Sequence, residues 1–221
     1  MLFATFLRVV NDIKLFQPPQ KINSVEEYAK LEKNPYKISG NILGEQNADV
    51  IVHLYTDYYC PYCRVLNIML YKATMDLSNI RIIHHDFPLD SSCNPSAQRT
   101  MHPNACMTAA YVMAAKKQNK ALDMDTLLFD SPPKSEDELL LRAKEISELN
   151  TEKLKADANS ETTKKELRKN IEAAIERNVD ATPTIIIGST MHKGVMPYDE
   201  LINLLLDAGA KLKVKSKGTF K

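Results

Sequence analysis

Two runs of β-branched and aromatic residues organise the first half of the chain. Asp49 to Thr56 reads Asp-Val-Ile-Val-His-Leu-Tyr-Thr and predicts a strand. From Pro61 the spacing changes. Leu66, Met69, Leu70 and Ala73 recur at intervals of three and four, the mark of a helix with one buried face. Ile80 to Phe87 returns to strand chemistry, which completes a β-α-β unit in under fifty residues. Residues 95–179 read as mostly helical, with Pro103 expected to start one helix and Ser135 to open another. Leu167, Ile171, Ala174, Ile175 and Val179 line one face of a later helix. Thr184 to Gly188 and Met191 to Gly194 are strand-like and joined tightly enough for an antiparallel hairpin. Asp199 to Ala208 predicts a final amphipathic helix.

The order is β-α-β, a helical block, then β-β-α. It predicts an α/β fold in which a mixed sheet is flanked by helices. Residues 1–40 read as an N-terminal extension, with Ser24 capping a short helix through Glu26, Glu27 and Tyr28. Residues 41–92 and 180–210 form the two halves of the α/β domain, 93–179 an inserted helical domain, and 211–221 a solvated basic tail. Met1 to Val10 is apolar but falls short of the roughly 18–20 residues of a membrane span. It also lacks a basic n-region and a small-residue cleavage site. It reads as a segment packed on the body, or as the remainder of a trimmed targeting or membrane segment.

Composition narrows the function. With 44% hydrophobic and 26% charged residues the chain has a globular profile, and disorder is excluded for the whole. Twenty-nine basic against twenty-eight acidic residues leave a net charge of +1. So balanced a surface has no global attraction for a polyanion, and nucleic acid is not an expected partner.

The four cysteines carry the strongest chemical signal. Cys60 and Cys63 bracket Pro61-Tyr62 at the predicted strand-to-helix turn. There the first sulfur lies over unpaired backbone N–H groups and the positive end of the helix dipole, which lowers its pKa from the free value of ~8.5. Pro61 suits the first helical position, where its missing N–H costs nothing. Cys63 follows one turn on, near enough to bridge Cys60. The pair thus reads as a nucleophile with a resolving thiol. The alternative is half of a zinc site, which needs two further ligands. Cys93 and Cys106 lack that spacing, and the adjacent His84 and His85 point to opposite faces of a strand. The redox reading therefore calls for no metal and no bound cofactor.

The segment Thr56 to Arg64, the long helical insertion and Ala181-Thr182-Pro183-Thr184 together resemble the DsbA family of thioredoxin-fold oxidoreductases. The match spans about residues 40–210. The resemblance implies a thioredoxin fold with a large helical insertion between its β-α-β and β-β-α halves. It implies Cys60 and Cys63 as catalytic residues and Pro61 and Tyr62 as the active-site dipeptide. By the same resemblance Pro183 is a cis-proline facing the cysteines, and Thr182 offers its backbone to substrate. Leu54 stands six residues before Cys60, where relatives such as the thioredoxins carry a buried carboxylate. His53 reads as a packed strand histidine, and Asp57 as a surface or capping residue, with proton handling at Cys60 in place of the missing carboxylate as its alternative role.

Cys93 and Cys106 resemble a second cysteine pair found in some DsbA-like modules, including those fused to vitamin K epoxide reductase homologues. A structural disulfide between them would contribute ~3 kcal/mol through loop closure. The alternative is two free buried thiols in a reducing compartment. The implied function is thiol–disulfide exchange with protein or peptide thiols in the periplasm or another extracytoplasmic space. A membrane quinone-linked partner for reoxidation is implied by the resemblance only. The same site could serve a disulfide reductase or isomerase, and a non-catalytic metal-binding module is the reading from a different class.

Overall fold

The register of three strands positions everything that follows. The computed structural model of the protein describes residues 24–213. Strand β2 (Val50–Thr56) pairs in parallel with β4 (Ile80–Asp86), Val50 opposite Ile80 and Thr56 opposite Asp86. On its other side β2 pairs antiparallel with β5 (Thr184–Ile187), Tyr55 opposite Thr184. β6 (Thr190–Lys193) closes the hairpin with β5, and the two-residue β1 (Leu43–Gly44) covers one end of β4. The sheet order is β1-β4-β2-β5-β6.

Alternation along the strands divides the apolar side chains between two faces. Val50, Val52 and Leu54 of β2, Ile80 and Ile82 of β4, and Ile185 and Ile187 of β5 point one way. They meet Leu66, Met69, Leu70 and Ala73 of helix α2 (Pro61–Asp76) and Leu201 and Leu205 of α8 (Tyr198–Asp207). Tyr55 and Ile186 point the other way, onto Ala109 and Met113 of α3 (Ala105–Lys116) and Leu167, Ile171 and Ala174 of α7 (Glu161–Glu176). The four α2 positions picked out by their spacing are all fully buried.

Helices α3, α4 (Ala121–Asp130), α5 (Glu136–Ala143), α6 (Thr151–Ala158) and α7 all fall between β4 and β5. The insertion has an apolar core of its own, with Tyr111, Met124, Leu128, Phe129, Leu139 and Leu154 at its centre. Tyr58, Cys60 and Cys63 pack into that core, so the insertion covers the cysteine pair. The fold is a thioredoxin fold with a helical insertion.

Several expectations change at the edges. Pro103 does not start a helix: α3 begins at Ala105 after Asn104, whose φ of 72° turns the chain into it. The basic tail does not begin at residue 211. Lys211 and Leu212 form β7, which pairs with β3 (Leu77–Ser78), and Lys213 donates its backbone N–H to the Asp76 carbonyl. Two-residue strands have no periodicity to read, so β1, β3 and β7 escape a pattern-based prediction. In the extension, Ser24 and Glu27 form a capping box on α1 (Val25–Ala29), and Tyr28 is buried against Tyr198. The apolar Met1 to Val10 segment and the last lysines lie outside the described residues.

The shared β2–β5 layer makes a specific stability prediction. Ile185 is fully buried at the centre of the sheet. Ile185→Ala should cost about 2–5 kcal/mol in urea unfolding of the intact chain. A loss below about 1 kcal/mol would mean that this layer is not packed as described.

Candidate active site

Because β2 and β5 run antiparallel, the end of β2 and the start of β5 share one edge of the sheet. The turn Asp57–Tyr59 leaves β2 there, and Thr182–Pro183 enters β5 there. Cys60 is the N-cap of α2 with Pro61 at its first position, and the Cys60 N–H donates to the Asp57 carbonyl at 3.1 Å. Across the gap, the Cys60 thiol donates to the Thr182 carbonyl at 3.6 Å. The Thr182–Pro183 peptide bond is cis, and the Pro183 carbonyl accepts from the Gly194 N–H at 2.8 Å. Cys60, Cys63, Thr182 and Pro183, singled out separately in the sequence, thus converge at one place. Cys60 and Cys63 are free thiols in the structure.

The two sulfurs are not equivalent. Cys60 is 6% exposed and Cys63 fully buried, while Tyr62 between them is 62% exposed. A hydrogen bond from the Cys63 side chain holds the Cys60 thiol down to about 6, with the backbone N–H groups of Cys63 and Tyr62 and the Thr182 side chain adding to it. These outweigh the opposing effect of burial. The Thr182 hydroxyl is buried beside the two sulfurs and has no other hydrogen-bond partner. Burial pushes the Cys63 thiol well up, and the neighbouring Cys60 reinforces this. The arrangement yields a thiolate at the surface end and a protonated thiol beneath it.

Cys93 and Cys106 are joined, with their Cα atoms 6.0 Å apart, well away from α2's start in sequence. The bridge ties the segment after β4 to the first turn of α3. Among the described residues no group of three or more His, Cys, Asp or Glu is arranged to hold a metal ion.

Two features depart from the sequence reading. Asp57 is not a surface residue: it is 2% exposed, and its carboxylate accepts from the Tyr59 and Leu89 N–H groups at 2.8 and 2.7 Å. His102 Nδ1 lies 3.0 Å from Asp57 Oδ2. The second feature is a buried polar cluster behind the site. Asp125 Oδ1 accepts from the Tyr58 hydroxyl at 2.6 Å, Asp125 Oδ2 lies 2.9 Å from His84 Nδ1, and Thr56 Oγ1 lies 2.7 Å from His84 Nε2. Burial pulls His84 down, but Asp125 and Asp86 outweigh it and leave its pKa raised. Burial pushes Asp86 up to about 6. Tyr58, His84, Asp86 and Asp125 line a cavity of about 540 Å³ between β4 and the insertion, where Leu54 occupies the wall. On the opposite face, as expected of alternation, His85 turns to His53, ring nitrogens 2.9 Å apart.

Residues 37–207 match the thioredoxin family model. The chain belongs to the thioredoxin family. It is 26% identical over 170 residues to disulfide bond formation protein D of Bacillus subtilis, covering 72% of each chain. It is also 24% identical over 178 residues to Na(+)/H(+) antiporter NhaA 3 of Salinispora tropica, covering 80% of this chain but only 26% of the antiporter. Among solved structures, a thioredoxin-like oxidoreductase from Silicibacter pomeroyi superposes with a TM-score of 0.63 at 21% identity, covering 76% of this chain and 90% of that one. The DsbA-like resemblance read from the sequence agrees with this family and with the Bacillus relative.

The thiol asymmetry has a direct readout. In the reduced protein, iodoacetamide should modify Cys60 at a rate that rises with pH from about 6, well below the free-thiol range, while native Cys63 stays protected. Site-resolved mass spectrometry measures both. A Cys60 midpoint near the free-thiol value of ~8.5 would contradict the geometry.

Proposed function

We propose that this member of the thioredoxin family is a protein thiol–disulfide oxidoreductase that introduces or exchanges disulfides through Cys60 and Cys63. One observation carries the reading: a thiol held low at a helix N-terminus and nearer the surface, with a fully buried high-pKa thiol one turn behind it. The Bacillus relative's name, a disulfide bond formation protein, supports it.

The exchange starts from the oxidised pair. A substrate thiolate attacks Cys60 Sγ, forming a mixed disulfide and breaking the Cys60–Cys63 bond. Cys63 departs with the electron pair and takes up a proton, which its environment favours. A second substrate thiolate then attacks the substrate sulfur of the mixed disulfide. Cys60 leaves as the thiolate that its hydrogen bonds hold, and the substrate carries away a disulfide. Two electrons now reside on the cysteine pair, and an external oxidant must remove them. A membrane quinone-linked partner is the proposed acceptor. Thr182 presents its backbone beside Cys60, where an extended substrate strand can pair. Pro183 has no N–H, so it brings no competing donor to that edge. Pro61 and Tyr62 complete the site, Tyr62 as the exposed ring that a substrate meets first.

The Cys93–Cys106 bridge supports an extracytoplasmic location, since disulfides of this kind persist in oxidising compartments. The periplasm or an equivalent space is the proposed location.

The division of labour is testable. Cys60→Ser should abolish thiol exchange with a model peptide, whereas the Cys60 thiolate of Cys63→Ser should attack a peptide disulfide, release one peptide thiolate and accumulate the mixed disulfide, seen on non-reducing gels. Full dithiol turnover by Cys63→Ser with nothing trapped would reverse the assignment.

A further inference from the structure

The loop closed by Cys93 and Cys106 does more than staple the insertion, because it carries His102 to the redox site. Three contacts build the route. The Leu89 N–H donates to Asp57 Oδ2, and the Leu89 carbonyl accepts the backbone N–H groups of Met101 and His102 at 2.9 and 3.2 Å. His102 Nδ1 then reaches the same Asp57 oxygen at 3.0 Å. Asp57 in turn accepts the Cys60 N–H on its backbone carbonyl and the Tyr59 N–H on its side chain. The disulfide fixes both ends of the loop, at the exit of β4 and in the first turn of α3.

We propose that His102, held on buried Asp57 by this loop, is a positioning residue that sets the charge balance at Cys60. The inference rests on the reading of Cys60 as the nucleophile. An unpaired Asp57 carboxylate three residues before Cys60 would oppose a second negative charge on the sulfur. An imidazolium paired with that carboxylate cancels the opposition. Asp57 raises the His102 pKa first, and the Cys60 thiolate raises it further. Coupling between two titrating groups is reciprocal, so the imidazolium favours the thiolate by the same amount.

The charged and titratable groups around this pair come from three elements. The turn before α2 supplies Asp57 and Tyr59, and α2 supplies Cys63. Glu138 of α5 acts on Tyr59. Burial and Asp57 push Tyr59 up to about 12, and Cys63 is also held high, so both stay neutral over the physiological range. The Thr182–Pro183 segment brings no ionisable side chain. Histidine is the side chain whose ordinary range overlaps pH 5 to 8. His102 is therefore the neighbour that can make Cys60 reactivity titrate in two coupled steps.

The test is the site-resolved alkylation rate of Cys60 in the reduced full chain from about pH 5 to about pH 9, for four proteins. The unaltered chain should show two coupled steps. His102→Gln should lower the rate near pH 6 by about threefold to tenfold and leave a single step at higher pH. His102→Arg keeps a permanent cation, so it should restore the low-pH rate while also losing the second step. The Cys93→Ala/Cys106→Ala double variant opens the loop without touching His102, and should shift the profile in the same direction as His102→Gln. Superimposed profiles for His102→Gln and the unaltered chain would overturn the proposal, as would equal shifts in His102→Gln and His102→Arg. An unshifted double variant would overturn the role of the loop. Alkylation requires no disulfide exchange. If the unaltered chain fails to exchange disulfides at all, the proposed function falls instead, and the two failures stay distinct.

Discussion

A single charge, the thiolate of Cys60, sets the terms for the surrounding structure. It needs donors that need not be stripped from water each time it forms, and the N-terminus of α2 provides them as backbone geometry. That requirement fixes where α2 must start, immediately after the turn that leaves β2. It also explains why Cys63 is hidden. A second sulfur with equal access to donors would compete for the charge, whereas one buried in the insertion core remains protonated and donates its hydrogen bond to the first. The helical insertion is therefore part of the chemistry, because its core makes the two thiols unequal.

The β2–β5 register serves the same charge from the opposite side. Pairing Tyr55 with Thr184 brings residues 182–183 level with the cysteine turn, two segments separated by more than one hundred residues of chain. No side chain at the start of β5 competes electrostatically with the thiolate. The Thr182 hydroxyl is neutral, and Pro183 lacks a backbone donor.

How much of this was legible in the sequence depended on the range of the interaction. The β-α-β unit, the N-cap position of Cys60 and the buried face of α2 are local patterns, and Leu66, Met69, Leu70 and Ala73 behave as their spacing predicts. The Thr182–Pro183 segment was found through its resemblance to a family motif, and its contact with Cys60 depends on strand pairing. Asp57 and His102 were misjudged or missed for a different reason. They stand forty-five residues apart in sequence, and only the return of the chain from β4, through Leu89 and the Cys93–Cys106 loop, makes them partners. An aspartate in a turn before a helix looks like a surface cap until something buries it. The His84–Asp125–Tyr58 cluster escaped for the same reason, since its members come from β4, α4 and the cysteine turn. The tail was misread at Lys211 and Leu212 because lysine-rich composition outweighed a pairing too short to leave a pattern.

The central claim is that Cys60 and Cys63 form one reversible two-electron couple distinct from the Cys93–Cys106 bridge. Equilibrating the full chain against reduced and oxidised glutathione, with thiol labelling resolved by residue, measures it directly. The account predicts a single transition in which Cys60 and Cys63 gain and lose label together, while Cys93 and Cys106 stay unlabelled across the range. Independent one-electron behaviour at Cys60 and Cys63, through separate mixed disulfides with glutathione, would contradict it. So would stoichiometric zinc on the pair with no such transition.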